Sequence, residues 1–117
     1  MNSLGRAGEE QARQYLQNQG YRIIAQNFGT KNGEIDLIAT RGDLLVFVEV
    51  KQRASAAFGG PLAAVTKSKQ HKISLTAAEF IKEKALKFDS IRFDVICITG
   101  GELTHVENAF FPPRMTV

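Results

Sequence analysis

The sequence has no tryptophan, a single cysteine, two histidines and three prolines among 117 residues. One cysteine, Cys97, excludes an internal disulfide and points to a reducing compartment. Neither His71 nor His105 is spaced with it as zinc ligands are. No apolar run approaches the ~20 residues of a membrane span. The opening Met1-Asn2-Ser3-Leu4-Gly5-Arg6 holds no apolar signal region. A glycine-rich phosphate loop is missing, and so is a Ser/His/Asp set suited to acyl transfer. These absences lead us to expect a cytoplasmic chain with no membrane partner. What is present excludes disorder: 44% of residues are hydrophobic and 23% charged, an ordinary globular balance. The length fits one domain across residues 1–117.

Net charge is +3 and the pI about 9.2, a mild sign of a polyanionic partner. Its distribution says more. Residues 1–50 hold five Lys/Arg against six Asp/Glu, and residues 51–117 hold ten against six. A carboxylate cluster early and a basic surplus late would suit a site that holds a cation beside a phosphate backbone.

Residues 3–19 read as a helix with Ser3 as N-cap and Gly20 as stop. Its apolar side is Gly8, Ala12, Tyr15 and Leu16. Glu10 points away from that side, whereas Glu9 lies about 75° from its centre and leans inward. A strand over 21–25 and a polar turn over 27–33 come next. Two apolar runs then flank Arg41-Gly42-Asp43, a hairpin pattern in which Arg41 pairs with Leu44 and Asp36 faces Glu49. Both runs are apolar on both faces near the turn, as central strands covered by helices are. Residues 54–60 are small. A second helix over 66–87 is capped by Thr66 and buries Ile73, Ala77, Phe80 and Ile81. Strands over 92–99 and 103–109 are joined by Gly100-Gly101, and Phe110 and Phe111 cap the core. The order is α-β-β-β-α-β-β, an α/β fold with a mixed sheet.

Glu49 and Lys51 share one strand face, and the hairpin register adds Asp36 to it. Two adjacent carboxylates repel unless a cation lies between them, and hard oxygen ligands of this kind suit Mg²⁺ or Mn²⁺. A lysine two residues on can orient a water or a phosphate oxygen. These are parts for metal-assisted phosphodiester hydrolysis. The same residues could instead form a structural ion-pair network. Charged groups in strands this apolar are costly without partners, and such departures tend to mark function.

Gly33-Glu34-Ile35-Asp36-Leu37-Ile38 followed by Val46-Phe47-Val48-Glu49-Val50-Lys51 closely resembles the YraN-like family of small bacterial proteins. That family is similar to the PD-(D/E)xK nuclease superfamily and to archaeal Holliday-junction resolvases. Gly5-Arg6-Ala7-Gly8-Glu9, Lys51-Gln52-Arg53, Phe58-Gly59, Lys69-Gln70 and Arg92-Phe93-Asp94 match in order and spacing, so the resemblance spans nearly the whole chain. It implies a restriction-endonuclease-like α/β/α core. It also implies Asp36 and Glu49 as metal ligands with the Val50 carbonyl as a third, Lys51 as the catalytic lysine, and Glu9 as an added acidic group. Ile35 stands where the superfamily name has proline, a departure common among resolvase-like members.

Arg53, Lys67, Lys69 and Lys72 are candidate phosphate contacts, with a solvated basic surface as the plain alternative. Gln70 is a candidate for positioning substrate. Glu34 is read as a strand-edge carboxylate or a group behind Asp36, and Cys97 as a small buried apolar residue. Two functional classes follow. One is a Mg²⁺- or Mn²⁺-dependent DNA endonuclease acting on branched or damaged DNA. The other is a non-catalytic nucleic-acid-binding or protein-interaction module on the same fold. Symmetric double cuts would favour a homodimer.

Overall fold

The computed structural model describes residues 3–53 and 65–111. The small stretch 54–60, the Phe58-Gly59 block and Pro112-Pro113 lie outside them, as do the side chains of Ser3, Leu4 and Arg6. The elements run α1 (Ser3–Asn18), β1 (Arg22–Thr30), β2 (Gly33–Arg41), β3 (Leu44–Arg53), α2 (Lys67–Lys84), β4 (Ser90–Thr99) and β5 (Glu102–Val106). This is the expected order of two helices and five strands.

Helix α1 spans Ser3–Asn18, and the expected capping by the Ser3 side chain lies outside the described residues. The helix ends as expected. Gly20 takes φ +90, its N–H donates to the Gln17 carbonyl, and the Tyr21 N–H reaches back to the Leu16 carbonyl. That pair of bonds satisfies two of the carbonyls left open at a helix end, and glycine takes the left-handed position without a Cβ clash. Ala12 and Leu16 are fully buried. Burying a leucine contributes about 1.5–3 kcal/mol, enough to fix which face turns inward. Gly8 allows close approach, because a Cβ there would sit 2.5 Å from the Gln52 side-chain oxygen on β3.

The sheet has the order β1-β2-β3-β4-β5. Only β3 and β4 run parallel, joined by the connection that carries α2; the other neighbours are antiparallel. The β2–β3 hairpin has the register read from the sequence, from Arg41↔Leu44 to Leu37↔Val48. Gly42 occupies the first loop position at φ +60, which suits a turn whose twist matches the strands.

The first strand departs from expectation. The polar run 27–33 is not a turn: β1 continues to Thr30, and the chain reverses at Lys31-Asn32. A bulge between Ile23 and Ala25 shifts the register, and Asn27 sits in the strand at φ +50. Asparagine tolerates that conformation, which is why the stretch reads locally as a turn. Other boundaries also move, β4 beginning at Ser90. Helix α2 stops at Lys84 with Ala85 left-handed at its C-cap, and β5 ends at Val106.

The sheet separates two cores. Leu45, Phe47, Phe93 and Val95 pack with Ile73, Ala77, Phe80 and Ile81 of α2, and Phe110 joins them. Val46, Val48, Ile96 and Ile98 pack with Ala12 and Leu16 of α1. The result is three layers, α/β/α, with β3 covered on both sides. Cys97 is buried, as expected, Phe110 stacks on Phe93, and Phe111 is exposed.

Candidate functional site

The site forms where the β2–β3 ladder stops. Leu37↔Val48 is the last backbone pair. One step further, the Asp36 side chain replaces the backbone as acceptor, and its Oδ2 takes the Val50 N–H at 2.8 Å. Burial and the neighbouring Glu49 charge push the Asp36 carboxyl up to about 7, against the pull of the Val50 N–H. The neighbouring like charge raises the cost of ionising Asp36.

Glu49 is only 8% exposed, on the side of the sheet that α2 covers. Its Oε1 faces Lys51 Nζ at 3.6 Å and Lys69 Nζ at 3.5 Å. Lys51 comes from the same strand and Lys69 from the first turn of α2. Burial, then the adjacent Lys69, holds the Lys51 ammonium below the usual lysine range, with Glu49 opposing. Burial acts on Lys69 in the same way, but its contacts with Lys51 and Glu49 outweigh it and hold Lys69 above that range.

On the α1 side, a cavity of about 210 Å³ is lined by Gly8, Glu9, Asn27, Glu34, Asp36, Val50 and Gln52. Glu9 reaches in from α1, as its place on the helix required, while Glu10 stays outside with Arg13. Burial first, then the Asp36 and Glu34 charges, raises the Glu9 carboxyl above the usual range. Asn27, its amide nitrogen turned as the surrounding acceptors require, donates to Glu9 at 2.6 Å and Glu34 at 3.2 Å. Four carboxylates therefore form a row, Glu34, Glu9, Asp36 and Glu49, with Asn27 bridging one end and two lysines closing the other. Asp36 links the two sides of the sheet.

Among the described residues, no three His, Cys, Asp or Glu side chains converge so as to hold a metal ion. The donor set still fits Mg²⁺ or Mn²⁺, because such ions are commonly held by one or two carboxylates and complete their shells with water and phosphate. The fit rests on the Asp36/Glu49 pair, not on a preformed cage.

The other candidates divide. Lys69, expected only as a phosphate contact, stands against Glu49. Lys67 and Lys72 are exposed on α2, and Arg53 is half-buried at the end of β3. The Gln70 amide donates to the Val65 carbonyl at 3.0 Å, so it faces its own backbone. Asn27 was missed by the sequence reading. Its only local sign, an asparagine suited to positive φ, is shared by ordinary turns.

A second polar cluster lies apart. Arg92 holds the fully buried Asp94 through two bonds of 2.8 Å, His105 Nε2 lies 2.7 Å from the same carboxylate, and Tyr15 Oη lies 3.0 Å from His105 Nδ1. Burial alone would raise the Asp94 carboxyl; His105, Arg92 and Asn108 together hold it below its ordinary value. Here the donors outweigh burial and lower the Asp94 carboxyl, whereas burial and like charge raise those of Asp36 and Glu9.

Fold and site together define a small three-layer α/β/α protein with an acidic row at the open end of its central hairpin. Residues 8–98 match the profile described as "Uncharacterised protein family UPF0102". The "UPF0102 protein YraN" of Escherichia coli strain K12 / DH10B is 45% identical over 108 residues, which cover 91% of this chain and 82% of the relative. The "UPF0102 protein" of Rhodococcus opacus strain B4 is 44% identical over 113 residues, covering 92% and 96%. The chain belongs to the UPF0102 family.

Proposed function

We propose that this chain is a divalent-cation-dependent DNA endonuclease acting on branched or damaged DNA in the cytoplasm. One observation carries the reading: two neighbouring carboxylates at the split end of a hairpin, Glu49 buried and Asp36 half-buried, with a lysine two residues beyond the second. Asp36 and Glu49 would hold Mg²⁺ or Mn²⁺, with the Val50 carbonyl and Glu9 as added donors. When bound, the ion lowers the pKa of a water and neutralises charge growing on the phosphate. Lys51 orients the attacking water or a phosphate oxygen. Its partly desolvated ammonium suits that role better than a fully hydrated one. Burial of Glu49 limits competing water around the pair. Arg53, Lys67 and Lys72 supply backbone-phosphate contacts that carry no sequence information. A homodimer would place two such sites for paired cuts.

A non-catalytic binding module is favoured by a different observation, that two lysines already neutralise Glu49. A labelled four-way DNA junction decides between them. The nuclease reading expects Mn²⁺-dependent cutting that chelator abolishes and that Glu49→Ala lowers by at least about 100-fold. Junction binding without cutting at any Mn²⁺ concentration would support the module instead.

A further inference from the structure

Lys51 and Lys69 approach the same oxygen of Glu49, at 3.6 and 3.5 Å. The Asp36 charge favours both ammoniums as well, but both converge on the Glu49 oxygen, so the placement of the second invites explanation. Helix stability does not provide it. Lys69 lies in the first turn of α2, whose N-terminus is capped by Thr66 and carries no acidic residue. A cation there works against the helix dipole. Position relative to the surface is more informative: Glu49 is 8% exposed and Lys69 36%. Lys69 can therefore reach a ligand outside while touching a carboxylate inside. Exposed Lys67 and Lys72 on the same helix extend positive charge outward from it.

We infer that Lys69 is a positioning residue that exchanges between Glu49 and a phosphate of the DNA backbone. Without DNA it helps cap Glu49 and repels an approaching divalent cation. With DNA it pairs with a phosphate and leaves Glu49 free to ligate. Cation and DNA then bind cooperatively, each strengthening the other by the same factor. The inference rests on the nuclease reading above.

The test measures Mn²⁺ affinity calorimetrically for wild type, Lys69→Met and Lys69→Arg. Each is titrated alone and when saturated with a phosphorothioate DNA duplex that resists cutting. Lys69→Met is expected to bind Mn²⁺ alone about fivefold more tightly, the size of one partly exposed ion pair. The extra affinity conferred by DNA should fall by a similar factor, and Lys69→Arg should restore the wild-type pattern. A purely structural role would lower the melting temperature without raising the Mn²⁺ affinity alone or shrinking the gain that DNA confers. If wild type binds Mn²⁺ and Lys69→Met binds it no better, the inference is overturned and the nuclease reading stands. If wild type binds no Mn²⁺ with or without DNA, the nuclease reading fails and the inference with it.

Discussion

Asp36 is held by contacts that oppose one another. The Val50 N–H stabilises its anion at 2.8 Å, while burial and Glu49 disfavour it and raise its carboxyl from an ordinary 3.8 to about 7. Glu9 shifts in the same direction. A raised carboxyl means that the folded chain binds protons more tightly than the unfolded chain. Its favourable contribution is complete below about pH 4 and is lost as pH rises through about 7. Metal-free protein should therefore lose stability across that window, and Mg²⁺ should raise the melting temperature more at pH 7.5 than at pH 5. Thermal unfolding at the two pH values checks this; an equal Mg²⁺ effect at both would remove the link between these carboxylates and the ion. Asp94 behaves in the opposite way, because its carboxyl is held low by His105, Arg92 and Asn108. Asp94→Ala leaves the half-buried Arg92 without its two bonds to that carboxylate and should cost about 3 kcal/mol in urea unfolding. Mn²⁺ affinity should not change. A parallel loss of metal binding would show that the two clusters act as one.

At the scale of elements, α2 is well begun and poorly ended. The Thr66 hydroxyl accepts from the Lys69 N–H at 3.2 Å, so Thr66→Ala should cost about 1 kcal/mol. Ala85 adopts φ 49, ψ 45 at the C-cap, where a Cβ is strained. Ala85→Gly should stabilise by about 0.5–1 kcal/mol. Both are read from the shift in urea midpoint at constant slope. The same helix shows what a sequence does and does not disclose. Its start and its buried stripe follow from local chemistry, a threonine before a 3.6-residue apolar period. Its end does not, since an alanine at that position looks helical. The β2–β3 register was legible because a two-residue loop with Gly42 permits few alternatives. The extent of β1 was not, because Asn27 and Gly29 resemble turn residues, and only pairing with β2 makes them strand. The site divides in the same way. Asp36, Glu49 and Lys51 are close in register, and Glu9 follows from helix geometry. Lys69 reaches Glu49 only through the packing of α2 on the sheet, a contact that no spacing in the sequence encodes.

Across the whole molecule, the sheet works as a partition that the site crosses at a single place. The α1 face presents the acidic cavity and the α2 face presents the lysines. Asp36, released from the ladder one residue before the sheet would close, joins them. Moving the hairpin register by one residue would send Glu49 to the α1 side and separate it from both lysines, so the Gly42 turn and the site are mechanically linked. On the α2 side, Lys51 and Lys69 stand against Glu49, with exposed Lys67 and Lys72 on the same helix as Lys69.

The central claim is that the Asp36/Glu49 pair is a cation site in the service of DNA hydrolysis. Calorimetric titration of Mn²⁺ into wild type and the Asp36→Ala/Glu49→Ala double variant tests it most directly, with cutting of a labelled four-way junction followed on the same samples. The account predicts Mn²⁺ binding and cutting by the wild type, and the loss of both in a double variant that remains folded. A wild type that takes up no Mn²⁺ even with DNA present, or a folded double variant that binds and cuts as before, would contradict it.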